Sequence, residues 1–134
     1  MSYDLMAFET SKAPQERAAF MEWYEQQVQW SEDHAYNDPS VLSEALQRFY
    51  SELSEQFPNM NVEDEIFEAM EEAGTDNRLT DYSLGSSVIY AAFAYSVAEE
   101  AYTAMRELAI KHKVGFFDVS SNEGDIIFPR SKTI

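Results

Sequence analysis

The fold turns on residues 81–119, DYSLGSSVIYAAFAYSVAEEAYTAMRELAIKHKVGFFDV. "DYSL" and "VIYAAFAY" are short apolar runs parted at Gly85 and Ser86, the pattern of a β-hairpin over 81–95. Ser96 and Glu99 make an S-x-x-E capping box, which opens a helix over 97–113. Along it Ala98, Ala101, Tyr102, Met105, Leu108 and Ala109 recur at helical spacing. Lys111, His112 and Lys113 fall in its last turn, where positive charge suits the helix dipole. "VGFFDV" reads as the next strand, and with "DIIFP" it gives a second hairpin over 114–128, stopped by Pro129.

Working outward, "YDLMAF" at 3–8 is an apolar run with a single charge, and reads as a strand buried on both faces. Three helices fill the interval before the hairpin. The first spans 14–30, with Pro14 in its first turn and Phe20, Trp23, Tyr24 and Val28 on one face. The second spans 39–57, capped by Asp38, with Pro39 first and Leu42, Leu46, Phe49, Leu53 and Phe57 facing inward. The short link between these two predicts an antiparallel helix pair. The third spans 62–74, with Ile66, Phe67 and Met70 as a narrow apolar face and Gly74 as its stop.

This order predicts an α+β protein, a single domain over 1–134. It resembles a ferredoxin-like βαββαβ sandwich with an extra helical insertion in the first crossover and an added C-terminal strand. Right-handed crossovers would place the first strand and "VGFFDV" centrally, with the helices on one face. The ending "RSKTI" reads as loose, which leaves "DIIF" as an open edge and makes a homodimer as natural as a monomer.

Composition sets aside several classes of function. The chain has 134 residues, 45% of them apolar, and a net charge of -16. Without cysteine there is no disulfide, thiolate metal site or cysteine nucleophile. Gly74, Gly85, Gly115 and Gly124 are the only glycines, and none is spaced as in a phosphate loop or a dinucleotide fingerprint; no cofactor is expected. A nucleic acid or an anionic membrane would be repelled by this charge. "MSYDLMAFET" carries no signal-peptide pattern and "VIYAAFAY" is too short to span a bilayer, so a cytoplasmic protein is expected.

Two stretches are candidates for function. "WSEDHAYNDPS" at 30–40 gathers Glu32, Asp33, His34 and Asp38. His34 and Asp38 stand four apart, a spacing that suits a metal or ligand site on one helix face; with Pro39 opening a new helix, a polar connector is the stronger reading. The second candidate is charge. Fourteen acids between positions 32 and 81 face only Arg48 and Arg78, so this span holds -12 of the total. Trp30, Glu32, Asp33, Tyr36, Asp38, Glu63, Asp64, Glu65 and Glu68 are then the candidate partner-binding residues, aromatic anchors beside carboxylates. The expectation is a non-enzymatic binding protein for a basic protein partner. The alternative is a small-ligand or metal-binding protein using 32–38.

"YDLMAF", "FMEWYE", "WSEDHAYNDP", "VIYAAFAYSVAEEAY" and "VGFFDVS" together resemble a family of small acidic bacterial proteins to which no established activity attaches. In size and acidity, though not in motif, the chain is also similar to bacterial immunity proteins. That second likeness implies neutralisation of a cognate toxin by occluding it.

Overall fold

A computed structural model of the protein describes residues 2–32, 34–129 and 132–134. The chain is α+β: the described residues form four helices and one open, six-stranded antiparallel sheet. The strands are β1 (Ser2–Phe8), β2 (Asp81–Leu84), β3 (Val88–Ala94), β4 (Gly115–Phe117), β5 (Ile126–Phe128) and β6 (Lys132–Thr133), in the order β2-β3-β1-β4-β5-β6. The helices are α1 (Arg17–Gln27), α2 (Glu44–Gln56), α3 (Asp64–Ala73) and α4 (Ala98–His112). None of the described helices is long and apolar enough to cross a membrane.

β1 runs through the middle of the sheet and is buried on both faces, as its unbroken apolar run predicts. Its side chains alternate. Leu5 and Ala7 join Phe116, Ile89, Ala91 and Phe93 under α2 and α4, while Met6 and Phe8 join Phe117, Ile126 and Phe128 on the other side. α2 contributes Leu46, Phe49 and Leu53 to the first face, and α4 contributes Ala101, Met105 and Ala109.

α1 overturns the expectation of helices on one face. It covers the second face alone, through Phe20, which packs on Phe8, Phe117 and Phe128 with centroid distances of 5.0, 5.3 and 6.3 Å. The predicted α1–α2 pair is therefore absent, and the pair that forms is α2 with α4. The physical reason is the aromatic match: Trp23 and Tyr24 of α1 add edge contacts to Phe8 and Phe117. To reach the opposite face, the chain after α1 crosses the outer edge of β2, where Leu84 N–H donates to the Tyr36 carbonyl at 2.9 Å.

Helix boundaries also shift. α1 starts at Arg17, because the Glu16 carboxylate accepts from the Ala18 and Ala19 N–H groups and so caps the helix after Pro14. Asp38 caps one 3₁₀ turn, Pro39–Val41, and Ser43 caps α2. Ser96 lies inside the 3₁₀ turn Tyr95–Val97, its Oγ accepting from Asn77 Nδ2 at 3.2 Å, so no capping box forms with Glu99. Of "RSKTI", residues 130 and 131 lie outside the described ones, and the rest is not loose: β6 pairs with β5, which is consequently not an edge strand. Arg17 holds this end by donating to the carbonyls of Gly124 and Ile134, each at 3.0 Å.

Gly115 stands directly opposite Phe8 in the β1–β4 ladder, and a Cβ there would lie 2.1 Å from the Phe8 ring. Phe20, Trp23 and Phe128 surround that ring and leave it nowhere to move. Gly115→Ala is expected to cost about 3 kcal/mol, the upper end of ordinary overpacking. Urea denaturation measures this, and an unchanged midpoint would contradict the packing described.

Candidate functional site

The connector at 30–38 is built by its own aromatics. Two residues past Val28, the C-cap of α1, Trp30 takes a left-handed conformation (φ 53°), and its indole packs on Tyr36 and Tyr90, with centroids 5.1 and 6.2 Å away. The Tyr36 hydroxyl accepts from Glu32 N–H at 2.6 Å and donates to the Glu32 carbonyl at 3.1 Å, closing the loop on itself. Glu32 Oε1 accepts from Ser86 N–H at 3.2 Å, at the tip of the β2–β3 hairpin, and from His34 Nε2 at 2.9 Å. His34 Nδ1 faces the Ala35 carbonyl at 2.9 Å, and its ring packs on Tyr36.

Both ring nitrogens of His34 therefore face oxygen acceptors, an arrangement satisfied only by the doubly protonated imidazolium. No lone pair remains for a metal. The Ala35 carbonyl and then Glu32 hold the His34 pKa above its ordinary 6.5. Burial works to raise the Glu32 pKa, but the hydrogen bonds from His34 and Ser86 outweigh it and lower the value. Asp38 Oδ1 is committed to Ser40 N–H at 2.9 Å. Among the described residues no cluster of three or more ligating side chains could hold a metal ion, and Asp33 lies outside them. The geometry is that of a clamped connector.

A pH dependence follows. The His34 contribution is complete below 6.5 and is lost as the pH climbs through the raised value. That of Glu32 is complete above 4.5 and is lost as the pH falls through the lowered one. Trp30 fluorescence should report loosening of the connector on both sides. In His34→Asn the alkaline transition should vanish, and a wild-type trace that is flat above neutrality would contradict the assignment.

The remaining acidic candidates lie elsewhere. Glu32 sits at the hairpin tip beside Ser86, whereas α3 hangs from the other end of β2. There Met60 N–H donates to the Thr80 carbonyl just before α3, and the 3₁₀ turn Asp76–Arg78 follows it. The structure thus groups Trp30, Glu32 and Tyr36 with Asp38 close in sequence, and it separates them from Glu63, Asp64, Glu65 and Glu68. Asp64 and Glu65 occupy the first turn of α3, favourably placed for its dipole, and Gly74 ends the helix in a left-handed conformation (φ 74°).

No residue of α3 is buried. Ile66 is 49% exposed, Phe67 40%, and Met60 on the preceding turn 50%. Large apolar side chains so exposed, with Glu63, Glu65, Glu68, Glu71 and Glu72 close in sequence, are the opposite of a solvated polar face.

Sequence reasoning missed a second feature. The Tyr3 hydroxyl donates to Asp118 Oδ1 at 2.8 Å, and Asp118 is only 9% exposed. Burial first, and then this hydrogen bond, push the Tyr3 pKa up to about 12, so it stays a donor. The one sequence signal was an acid immediately after the buried run "GFF". Lys111 and His112, read as dipole partners, both reach across to Glu52 of α2, at 2.6 and 2.8 Å. Compared with protein-family models, curated proteins and solved structures, the chain gives no match.

Proposed function

We propose that the protein is a non-enzymatic binding protein whose third helix docks a basic protein partner. The observation that carries this is the solvent exposure of Ile66 and Phe67 on a helix with no buried residue. An amphipathic helix gains most of its stability from packing its apolar face, and here the described chain leaves that face only partly covered. The charge around that face selects the partner. Six acids between positions 63 and 72, with no base among them, favour lysine- and arginine-rich surfaces and would speed their association.

An immunity-type protein that occludes a basic toxin is the particular form of this reading, supported by the small size, the -16 charge and the resemblance to small acidic bacterial proteins. The β2-β3-β1-β4 order of four antiparallel strands supports the ferredoxin-like reading of the sheet, with α1 to α3 as the elaborated first crossover. The small-ligand or metal alternative at 32–38 gains no support from a connector in which Glu32, His34 and Asp38 are already hydrogen-bonded.

Capture from the cells that encode the protein, with the purified chain as bait, tests the proposal. The expected result is one basic protein, retained at low salt, weakened at high salt and lost when Ile66→Asp and Phe67→Asp are combined. Retention of nothing basic, or retention indifferent to the double substitution, overturns it.

A further inference from the structure

We propose that the recess between the start of β1 and the first turns of α4 binds an organic cation, an alkylammonium or guanidinium group. The recess is a pocket of about 390 Å³ lined by Tyr3, Ala98, Glu99, Tyr102, Thr103 and Asp118. Its lining includes the Asp118 carboxylate, nine-tenths buried, which among the described residues accepts one side-chain hydrogen bond, from Tyr3 to Oδ1. A carboxylate offers about four acceptor positions, and since no buried side-chain oxygen among the described residues lacks a partner, the capacity that Tyr3 leaves is open to whatever enters the recess. Two tyrosine rings and a second carboxylate, Glu99, complete the lining.

A largely buried carboxylate beside aromatic rings suits a cation with an apolar stem, which gains from both ring and charge. Among the described residues no lysine, arginine or histidine stands at ion-pair distance from Asp118 or Glu99. An anion would find little here. The chain enters α4 through the 3₁₀ turn Tyr95–Val97, and Ala98 N–H is already bonded to the Tyr95 carbonyl.

The position of the recess suggests where the cation comes from. β1 pairs Ser2 with Ala94, so the pocket opens at the end of the sheet where Asn77 ties the turn after α3 to Ser96. A lysine or arginine side chain of a partner seated on α3 is one source, and in that form the inference rests on the docking reading above. A free small amine is the other.

The test is an NMR titration of the full chain with methylguanidinium, with N-acetylarginine amide, and with methylurea as the uncharged isostere. Saturable shifts at Tyr3, Tyr102, Thr103 and Asp118 are expected with methylguanidinium and not with methylurea. Entry of the arginine amide identifies a side-chain site; its exclusion identifies a site for free cations. Asp118→Asn should weaken binding about tenfold or more. Tyr3→Phe keeps the ring and vacates Oδ1, and should bind at least as tightly as wild type. Should Asp118→Asn fail to fold, Glu99→Gln at the exposed rim should still weaken binding about threefold. Equal response to methylurea, the absence of saturable shifts, or folded Asp118→Asn and Glu99→Gln variants that leave affinity unchanged overturns the site. The titration needs no partner, so its failure leaves the α3 capture result standing, and the reverse holds too.

Discussion

Phe20→Ala is expected to lose about 3–5 kcal/mol of folding stability, the range for a large aromatic removed from a rigid core. Phe20 is the single fully buried residue of α1. Its ring touches Phe8, Trp23, Phe117 and Phe128, which come from three different strands and from its own helix. Truncation leaves a cavity that these rings cannot close, since Phe8 is also wedged over Gly115. α1 has no comparable second anchor, because Trp23 and Tyr24 are only partly buried. The loss should therefore appear as a detached α1, with faster amide exchange across Arg17–Gln27 than across α4. Urea denaturation with exchange readout checks this. A cost below about 1 kcal/mol would mean that the second face of the sheet is not held by this contact.

The second large effect is on binding and not on stability. Phe67→Ala should move the unfolding midpoint little, since the ring is 40% exposed and no residue of α3 is fully buried. Affinity for the captured partner should nevertheless fall about thirtyfold or more, as for an aromatic hot spot at the centre of an interface. Ile66→Ala should behave alike with a smaller loss. Replacing Glu65 and Glu68 by glutamine should instead slow association and flatten its salt dependence, with dissociation little changed. Calorimetry and stopped-flow association separate the two behaviours. A Phe67→Ala variant that binds normally but unfolds early would make Phe67 a structural residue.

How much of this was legible in the sequence depends on which question is asked of a residue. Periodicity named the buried faces well: Phe20 in α1, and Leu46, Phe49 and Leu53 in α2, are all buried. It could not say which sheet face each helix covers, because a helix stripe is blind to its partner. Hence α1 was expected beside α2 and lies across the sheet from it. Local motifs failed where the chain turned sharply. The Ser96–Glu99 box was spoiled by a 3₁₀ turn, and Lys132 and Thr133 hid a backbone pairing that polar composition does not reveal. The connector was readable as polar punctuation, but its clamp required Ser86, fifty-four positions away from Glu32. The recess at Asp118 joins positions 115 apart, which no local pattern encodes. By contrast α3 was legible almost entirely: three apolar anchors among acids describe both its fold and its lack of a covering surface.

The most direct measurement is amide hydrogen exchange across the chain, free and saturated with the captured basic partner. The docking account predicts that the amides of Asp64–Ala73 exchange readily in the free protein and become strongly protected in the complex, while those of the connector at 30–38 change little. Exchange in α3 that is equally fast with and without the partner would contradict it.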